Sequence, residues 1–271
     1  MNIIYCVKYR NKTYLLVYMS DNNASDTGPG ATIVSAFMAN INYRADRSYD
    51  TYVILAKQLL RVAINKVIFI DRSVLHHFAE FANENTTIIP FVKEANYLYD
   101  YKDKLPEFEL NTRNPGKDSL EYMFTMCYKT EFVRKAIQLN NYNASQFIWL
   151  DLGIKHTMNI SEEDFAKKVL RLRYLEYPLH VRIGAIWNPD RHYSIDLYKD
   201  ICWCFAGGIF GGNIKSLLQF ADLTKETILK TMNEKKTIMW EINVWKLIYN
   251  MDRWKFLFYT CGHDNSMIDN Y

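Results

Sequence analysis

Phe147-Ile148-Trp149-Leu150-Asp151-Leu152-Gly153 constrains this chain more than any other segment. Its apolar run predicts a buried strand ending on one carboxylate. That sets a fixed negative charge at the carboxyl edge of a sheet, where open α/β folds bind their ligands. Farther on, Phe205-Ala206-Gly207-Gly208-Ile209-Phe210-Gly211-Gly212 gathers four of the ten glycines into six positions. Such a run belongs where the backbone turns tightly or lets a ligand come close. Asp151 and this segment are the first candidates for a site.

The flanking sequence supplies a sheet around that strand. Thr32 to Phe37 reads as the first central strand, and Tyr52, Leu55, Ala56, Leu59 and Leu60 recur at helical spacing after it. Lys66 to Asp71 follows as a second strand and completes a βαβ unit. Thr87 to Val92 is a third strand, which Pro90 assigns to an edge or a strand end because proline donates no ladder hydrogen bond. One helix over 120–139 leads into the Phe147 strand. Ser161-Glu162-Glu163-Asp164 has the form of a capping box and starts another helix. Residues 180–187 and 255–260 are strand-like, and 214–232 carries a one-sided apolar stripe. Residues 2–19 alternate around Arg10-Asn11-Lys12 as a hairpin, and 21–30, with Gly28-Pro29-Gly30, reads as a linker. The expected organisation is a hairpin and linker over 1–30, then one α/β domain over 31–271 with a mostly parallel central sheet flanked by helices.

Composition narrows the function classes. A 271-residue chain that is 49% hydrophobic can build a substantial core and is not disordered. The net charge of +3 is too slight to make DNA, RNA or an anionic membrane the main partner. Five cysteines without disulfide or zinc spacing suit a reducing compartment. No stretch approaches the ~18 continuous apolar residues of a membrane span, and the N-terminus lacks a signal-like core, so a soluble cytoplasmic protein is expected. Neither a nucleophile elbow nor a P-loop is present.

Together and in this order, the two segments resemble the HtrL/YibB-like glycosyltransferases. In that family a strand F-x-W-x-D-x-G closes the nucleotide-binding half, and A-G-x-x-F-G-G follows in the acceptor half. Phe147, Trp149, Asp151, Gly153 and Ala206 to Gly212 match. A fainter likeness, to the retaining blood-group-type glycosyltransferases, rests on Ile209 to Gly212, the helix after it and Trp240-Glu241. The resemblance runs from about Thr32 to the C-terminus. It implies a GT-A type fold with a nucleotide-binding half over 31–155 and an acceptor half over 156–271. The implied reaction moves a sugar from a nucleotide diphosphate donor, UDP-linked, to a glycan or small-molecule acceptor, with Mn²⁺ or Mg²⁺ as cofactor.

Many transferases of this fold hold a cation against the diphosphate with a D-x-D pair, since hard oxygen ligands suit Mg²⁺ and Mn²⁺. Here Asp151 takes the first position and Gly153 the second, so a cation needs another ligand. Some related transferases bring a histidine from a late strand to the metal, which implies His263. Lys129 matches a family lysine, implying contact with sugar or diphosphate. Arg44, Asp46 and Arg47 lie in the loop after the first strand, where this topology meets a nucleotide, and an arginine fork suits phosphate. Ser35, Ala36 and Phe37 are expected in the base pocket and Asp71 at the ribose or base, with helix capping as its plainer role. Gly207, Gly208, Gly211 and Gly212 are expected to shape the donor-sugar pocket. Trp240, Glu241 and Asn243 combine an indole, a carboxylate and an amide able to orient acceptor hydroxyls. Glu241 and Asp151 are the catalytic candidates, Glu241 as base in an inverting reaction or as nucleophile or stabiliser in a retaining one. His156 is a secondary candidate. The missing second acid motivates one rival, a non-catalytic binding protein that keeps the fold. A nucleic-acid-processing role rests only on the pI and the aromatic content.

Overall fold

A computed structural model describes residues 3–9, 12–18, 30–39, 48–105, 108–177, 179–251 and 254–271, the first two stretches as backbone only. Strands β1 (Ile3–Tyr9) and β2 (Lys12–Tyr18) pair antiparallel, with Tyr9 opposite Lys12, in a sheet of their own. Arg10, Asn11 and most of the segment read as a linker lie outside the described residues.

The remaining strands form one seven-stranded sheet. They are β3 (Thr32–Phe37), β4 (Lys66–Asp71), β5 (Thr86–Phe91), β6 (Gln146–Leu150), β7 (Arg182–Ala185), β8 (Phe205–Asn213) and β9 (Leu257–Thr260). Their order is β5-β4-β3-β6-β8-β7-β9, and β8 runs against both of its neighbours while every other adjacent pair is parallel. This is the mixed α/β fold with a mostly parallel central sheet that the sequence predicts. Pro90 sits in β5 at the sheet's edge, where its missing N–H breaks no ladder on the far side.

Seven α-helices accompany the strands among the described residues: α1 (Tyr49–Leu60), α2 (Leu120–Cys127), α3 (Lys129–Leu139), α4 (Glu162–Arg171), α5 (Ile214–Lys235), α6 (Glu241–Asn250) and α7 (Ser266–Asp269). Ser161 caps α4, its hydroxyl accepting the Asp164 N–H at 3.0 Å. Alternation along β6 divides the interior into two cores, because successive side chains leave opposite faces. Phe147 and Trp149 pack with Phe132, Phe210, Phe220 and Trp245, whereas Ile148 and Leu150 pack with Leu59, Phe165 and Val169. Each such side chain contributes roughly 1.5–3 kcal/mol on full burial, so β6 is anchored from both sides. No helix among the described residues is long and apolar enough to cross a membrane.

Two elements differ from the sequence reading. The glycine segment is not a turn: it lies inside β8, and none of the described glycines has positive φ. What β8 does contain is a bulge against β7, where Ile183 faces Phe210 but Ala185 faces Phe205, leaving Ala206 to Ile209 unmatched. The segment 120–139 is two helices rather than one. The Tyr128 N–H reaches back only to Thr125 O at 3.2 Å, which tightens the last turn of α2, and α3 restarts at Lys129. Tertiary partners fix the break: Tyr128 packs edge-on to Phe132 and donates to Ala95 O, and the Cys127 thiol donates to Met239 O.

Candidate functional site

β3 and β6 lie side by side and parallel, but the chain leaves them in opposite directions, from β3 toward β4 and from β6 toward β7 and β8. A crevice at such a switch point is where open α/β sheets take ligands. A cavity of about 850 Å³ opens there, lined by the ends of β3 and β6, the bulge of β8 and the starts of α1, α3 and α6.

Lys129 forms its floor. It is the first residue of α3, whose end has no side-chain cap, so its ammonium stands at the positive end of a helix dipole. Partners compensate for that placement. Nζ lies 3.0 Å from Asp151 Oδ1, 2.9 Å from Glu241 Oε1 and 2.9 Å from Gly207 O, with the side chain 2% exposed. Burial works against the charged form, but Asp151 and Glu241 outweigh it and hold the Lys129 pKa above the ordinary lysine range. Asp151 also accepts the Trp149 indole N–H at 2.7 Å, and its N–H donates to Gly208 O at 2.9 Å. The strand alternation that buries Trp149 thus also aims Asp151. Glu241 begins α6, where the helix dipole favours a carboxylate. A Cβ at Gly207 would land on Glu241 Oε1, so glycine lets β8 pass beneath this pair without displacing the carboxylate.

Aromatic side chains complete the cavity. Phe37 packs with Tyr49, Tyr52 with His156 and Trp203 with His263 along its wall, and Tyr122, Trp187 and Trp240 also line it. The Trp187 N–H donates to Trp203 O at 2.9 Å, fixing the two indole-bearing segments against each other. Burial and the nearby Glu241 and Asp151 push the Tyr122 phenol well above its ordinary pKa.

The donor set for a divalent cation is small. Asp151 keeps a side chain 37% exposed, and His263 lines the same cavity, but no three His, Cys, Asp or Glu are grouped for a metal among the described residues. At position 153 a Cβ would stand 3.3 Å from the Tyr52 ring, a tight contact where a D-x-D pair would place its second acid. These residues fit a cation that takes its remaining ligands from a diphosphate and water, as Mg²⁺ commonly does, and not an all-protein centre.

The profile of a family described as "Bacterial protein of unknown function (HtrL_YibB)" matches residues 30–253. The chain belongs to the HtrL_YibB family. No curated protein sequence matches it. Among solved structures it is similar to the Mycobacterium tuberculosis H37Rv protein Rv0371c in complex with manganese, with 9% identity, TM-score 0.38, and 88% of this chain and 90% of that chain covered. It is also similar to a glycosyltransferase involved in glycosylation of the major capsid of PBCV-1, with 12% identity, TM-score 0.40, and 86% and 82% covered. A third is the 4-diphosphocytidyl-2C-methyl-D-erythritol synthase of Anaerococcus prevotii DSM 20548, with 10% identity, TM-score 0.40, and 88% of each chain covered.

In this HtrL_YibB chain Ala36, Phe37, Lys129, Asp151, Gly207, Gly208, Trp240, Glu241, His156 and His263 all line the one cavity. Other candidates lie elsewhere. Ser35 is fully buried in β3, one residue short of the opening. Asp71 caps the turn after β4, accepting the Ser73 N–H at 2.9 Å and the Ala39 N–H at 3.3 Å. Gly211 and Gly212 pair with Ile148 and Phe147 deeper in the sheet, and a Cβ at Gly211 would stand 2.6 Å from Phe147 O. Both sit where neighbouring backbone comes close. Asn243 is buried as a clamp, accepting the Cys202 N–H at 2.8 Å and donating to Leu197 O and Asp200 O. Periodicity could not separate it from Glu241 two positions earlier. Arg44, Asp46 and Arg47 lie outside the described residues.

Sequence reasoning missed Asn114, Lys117, Tyr122, Trp187 and Trp203 as lining residues. Lys117 follows the turn signal Asn114-Pro115-Gly116, and Trp203 stands between two cysteines, but neither context marks a cavity by itself.

Proposed function

We propose that this protein transfers a sugar from a nucleoside diphosphate donor, UDP-linked, to a glycan or small-molecule acceptor, as a GT-A type enzyme. The observation that carries this reading is the buried Lys129 joining Asp151 to Glu241 on the floor of the switch-point cavity. A lysine held at the positive end of a helix breaks a local rule at the expense of stability, and such departures concentrate at functional sites.

Phe37, Tyr49 and Tyr52 offer rings to the base at the end of β3, in the half formed by 31–155. Asp151 faces the ribose and diphosphate, and Glu241 faces the acceptor. A divalent cation held by Asp151, His263 and the diphosphate would offset charge on the leaving group. Lys129 keeps the two carboxylates fixed at a shared ammonium, so the donor and acceptor sides stay in register. The blood-group-type likeness bears on stereochemistry: on a retaining route Glu241 stabilises or attacks the anomeric carbon, and on an inverting one it takes the acceptor proton.

Calorimetry with UDP, with and without Mn²⁺, tests this reading. The parent should bind UDP, and Asp151→Asn, nearly isosteric, should weaken binding about tenfold or more. Unchanged affinity in Asp151→Asn under both conditions would remove Asp151 from the donor site. A second reading, a nucleotide-sugar or glycan binding protein without turnover, is favoured by Gly153 standing where a second acid would be. UDP binding without UDP release from a panel of UDP-sugars and acceptors would support it.

A further inference from the structure

We infer that Trp149 is a positioning residue for Asp151: its indole N–H holds Oδ1 of the carboxylate and leaves Oδ2 for the donor nucleotide. This rests on the nucleotide-sugar reading above. Trp149 and Asp151 are two positions apart, so along an extended chain their side chains leave on the same face. The Trp149 ring is fixed before any ligand arrives. It is 3% exposed and lies nearly parallel to both Phe132 and Phe210, at 17° to each, with ring centres 6.0 and 6.4 Å away. An indole N–H donates and does not accept, and once buried it needs an acceptor. Trp149 finds that acceptor in Asp151 Oδ1, at 2.7 Å.

Asp151 has the complementary need. It stands just past the end of β6 with its side chain 37% exposed, and a carboxylate so placed turns between rotamers that a ligand must then freeze at a cost in affinity. Its backbone is already held, by the N–H to Gly208 O bond at 2.9 Å and by the Ile154 N–H donating to Asp151 O at 2.9 Å. The side chain is held unevenly. Oδ1 takes the two shorter contacts, Trp149 Nε1 at 2.7 Å and Lys129 Nζ at 3.0 Å, whereas Oδ2 meets Lys129 at 3.3 Å and lies 3.9 Å from where a Gly208 Cβ would stand. The ammonium reaches both oxygens, so the salt bridge by itself does not choose between them. The indole, bonded to Oδ1, makes the choice, and the carboxylate is set before the nucleotide enters.

A double-mutant cycle read by calorimetry with UDP tests this. Trp149→Phe keeps an aromatic ring and removes the N–H, and should weaken UDP about tenfold while Asp151 is present. In the Asp151→Ala background there is no carboxylate to orient, so the same substitution should change UDP affinity by less than about twofold. Equal losses in both backgrounds would make Trp149 a core residue and nothing more, and parental affinity in a folded Trp149→Phe would also overturn the assignment. Either result leaves the nucleotide-sugar reading standing. A parent that binds no UDP would overturn both. The indole N–H resonances of the six tryptophans supply a second measurement, for use where Trp149→Phe does not fold or Asp151→Ala binds too weakly to titrate. The resonance displaced most by Asp151→Ala should also move when UDP saturates the parent, and one that stays in place would overturn the assignment.

Discussion

Lys66 and Lys129 are both buried, at 1% and 2% exposure, at opposite edges of the same sheet. Lys66 opens β4 at the amino edge, and its ammonium donates to the backbone carbonyls of Ile64, at 2.9 Å, and Val62. Burial and then the Arg173 charge push its pKa down to about 8. Lys129 is as dry, yet Asp151 and Glu241 hold its pKa above the ordinary range. Burial is common to both, so burial does not distinguish a site. The distinction lies in the carboxylates and in the edge: Lys129 stands at the carboxyl edge with Asp151, Glu241, a cavity and a glycine strand beneath them.

Removing each ammonium should break the comparison most sharply. Lys129→Met leaves Glu241 buried and Asp151 half-buried without a counter-charge, and should cost about 3 kcal/mol of unfolding free energy and abolish UDP binding. Urea unfolding at neutral pH measures it, and equal stability of parent and variant would mean the bridge contributes nothing.

Lys66 has the opposite direction of pKa shift. Its folded pKa of about 8 is below the unfolded value, so the unfolded chain binds more protons between about pH 8 and 10.4. Stability should therefore rise with pH across that window, by up to ~3 kcal/mol, and Lys66→Met should flatten the rise. The same slope in both proteins would assign the effect to other groups.

Within the carboxyl edge, Glu241→Gln keeps shape and a hydrogen-bond acceptor for Lys129 while removing charge. Turnover should fall about a hundredfold, and UDP affinity should stay near parental. Loss of UDP binding as well would show that donor and acceptor sides are not divided at Lys129.

The two glycine pairs give the smallest contrast. Gly211→Ala should cost ~1–3 kcal/mol, because the new Cβ meets the Phe147 carbonyl, with UDP binding retained in the folded fraction. Gly207→Ala meets the movable end of Glu241 and should cost less stability but most of the activity. Thermal unfolding and transfer assays on both variants decide it, and the reverse pattern would move the site along β8.

Much of this was legible in the sequence. Apolar runs and periodicity located β3 to β6, α1, α4 and α5, because local alternation and one-sided stripes are what a two-faced sheet and its covering helices demand. The pairing of Asp151 with a distant glycine segment and with Glu241 was readable as residue types in order. Their roles were not. A glycine that turns and a glycine that lets a carboxylate pass have the same sequence, and only the packing of β8 against α6 separates Gly207 from Gly211. Asn243 and Glu241 share one helix turn, but one points to the segment 197–202 and the other to Lys129. The break at Tyr128 that turns Lys129 inward depends on contacts with Phe132, Ala95 and Met239. Sequence thus determined which elements form and which edge of the sheet carries charge. The tertiary structure decided which charges meet, because a salt bridge acts over a few ångströms between residues far apart in the chain, and no local pattern records that distance.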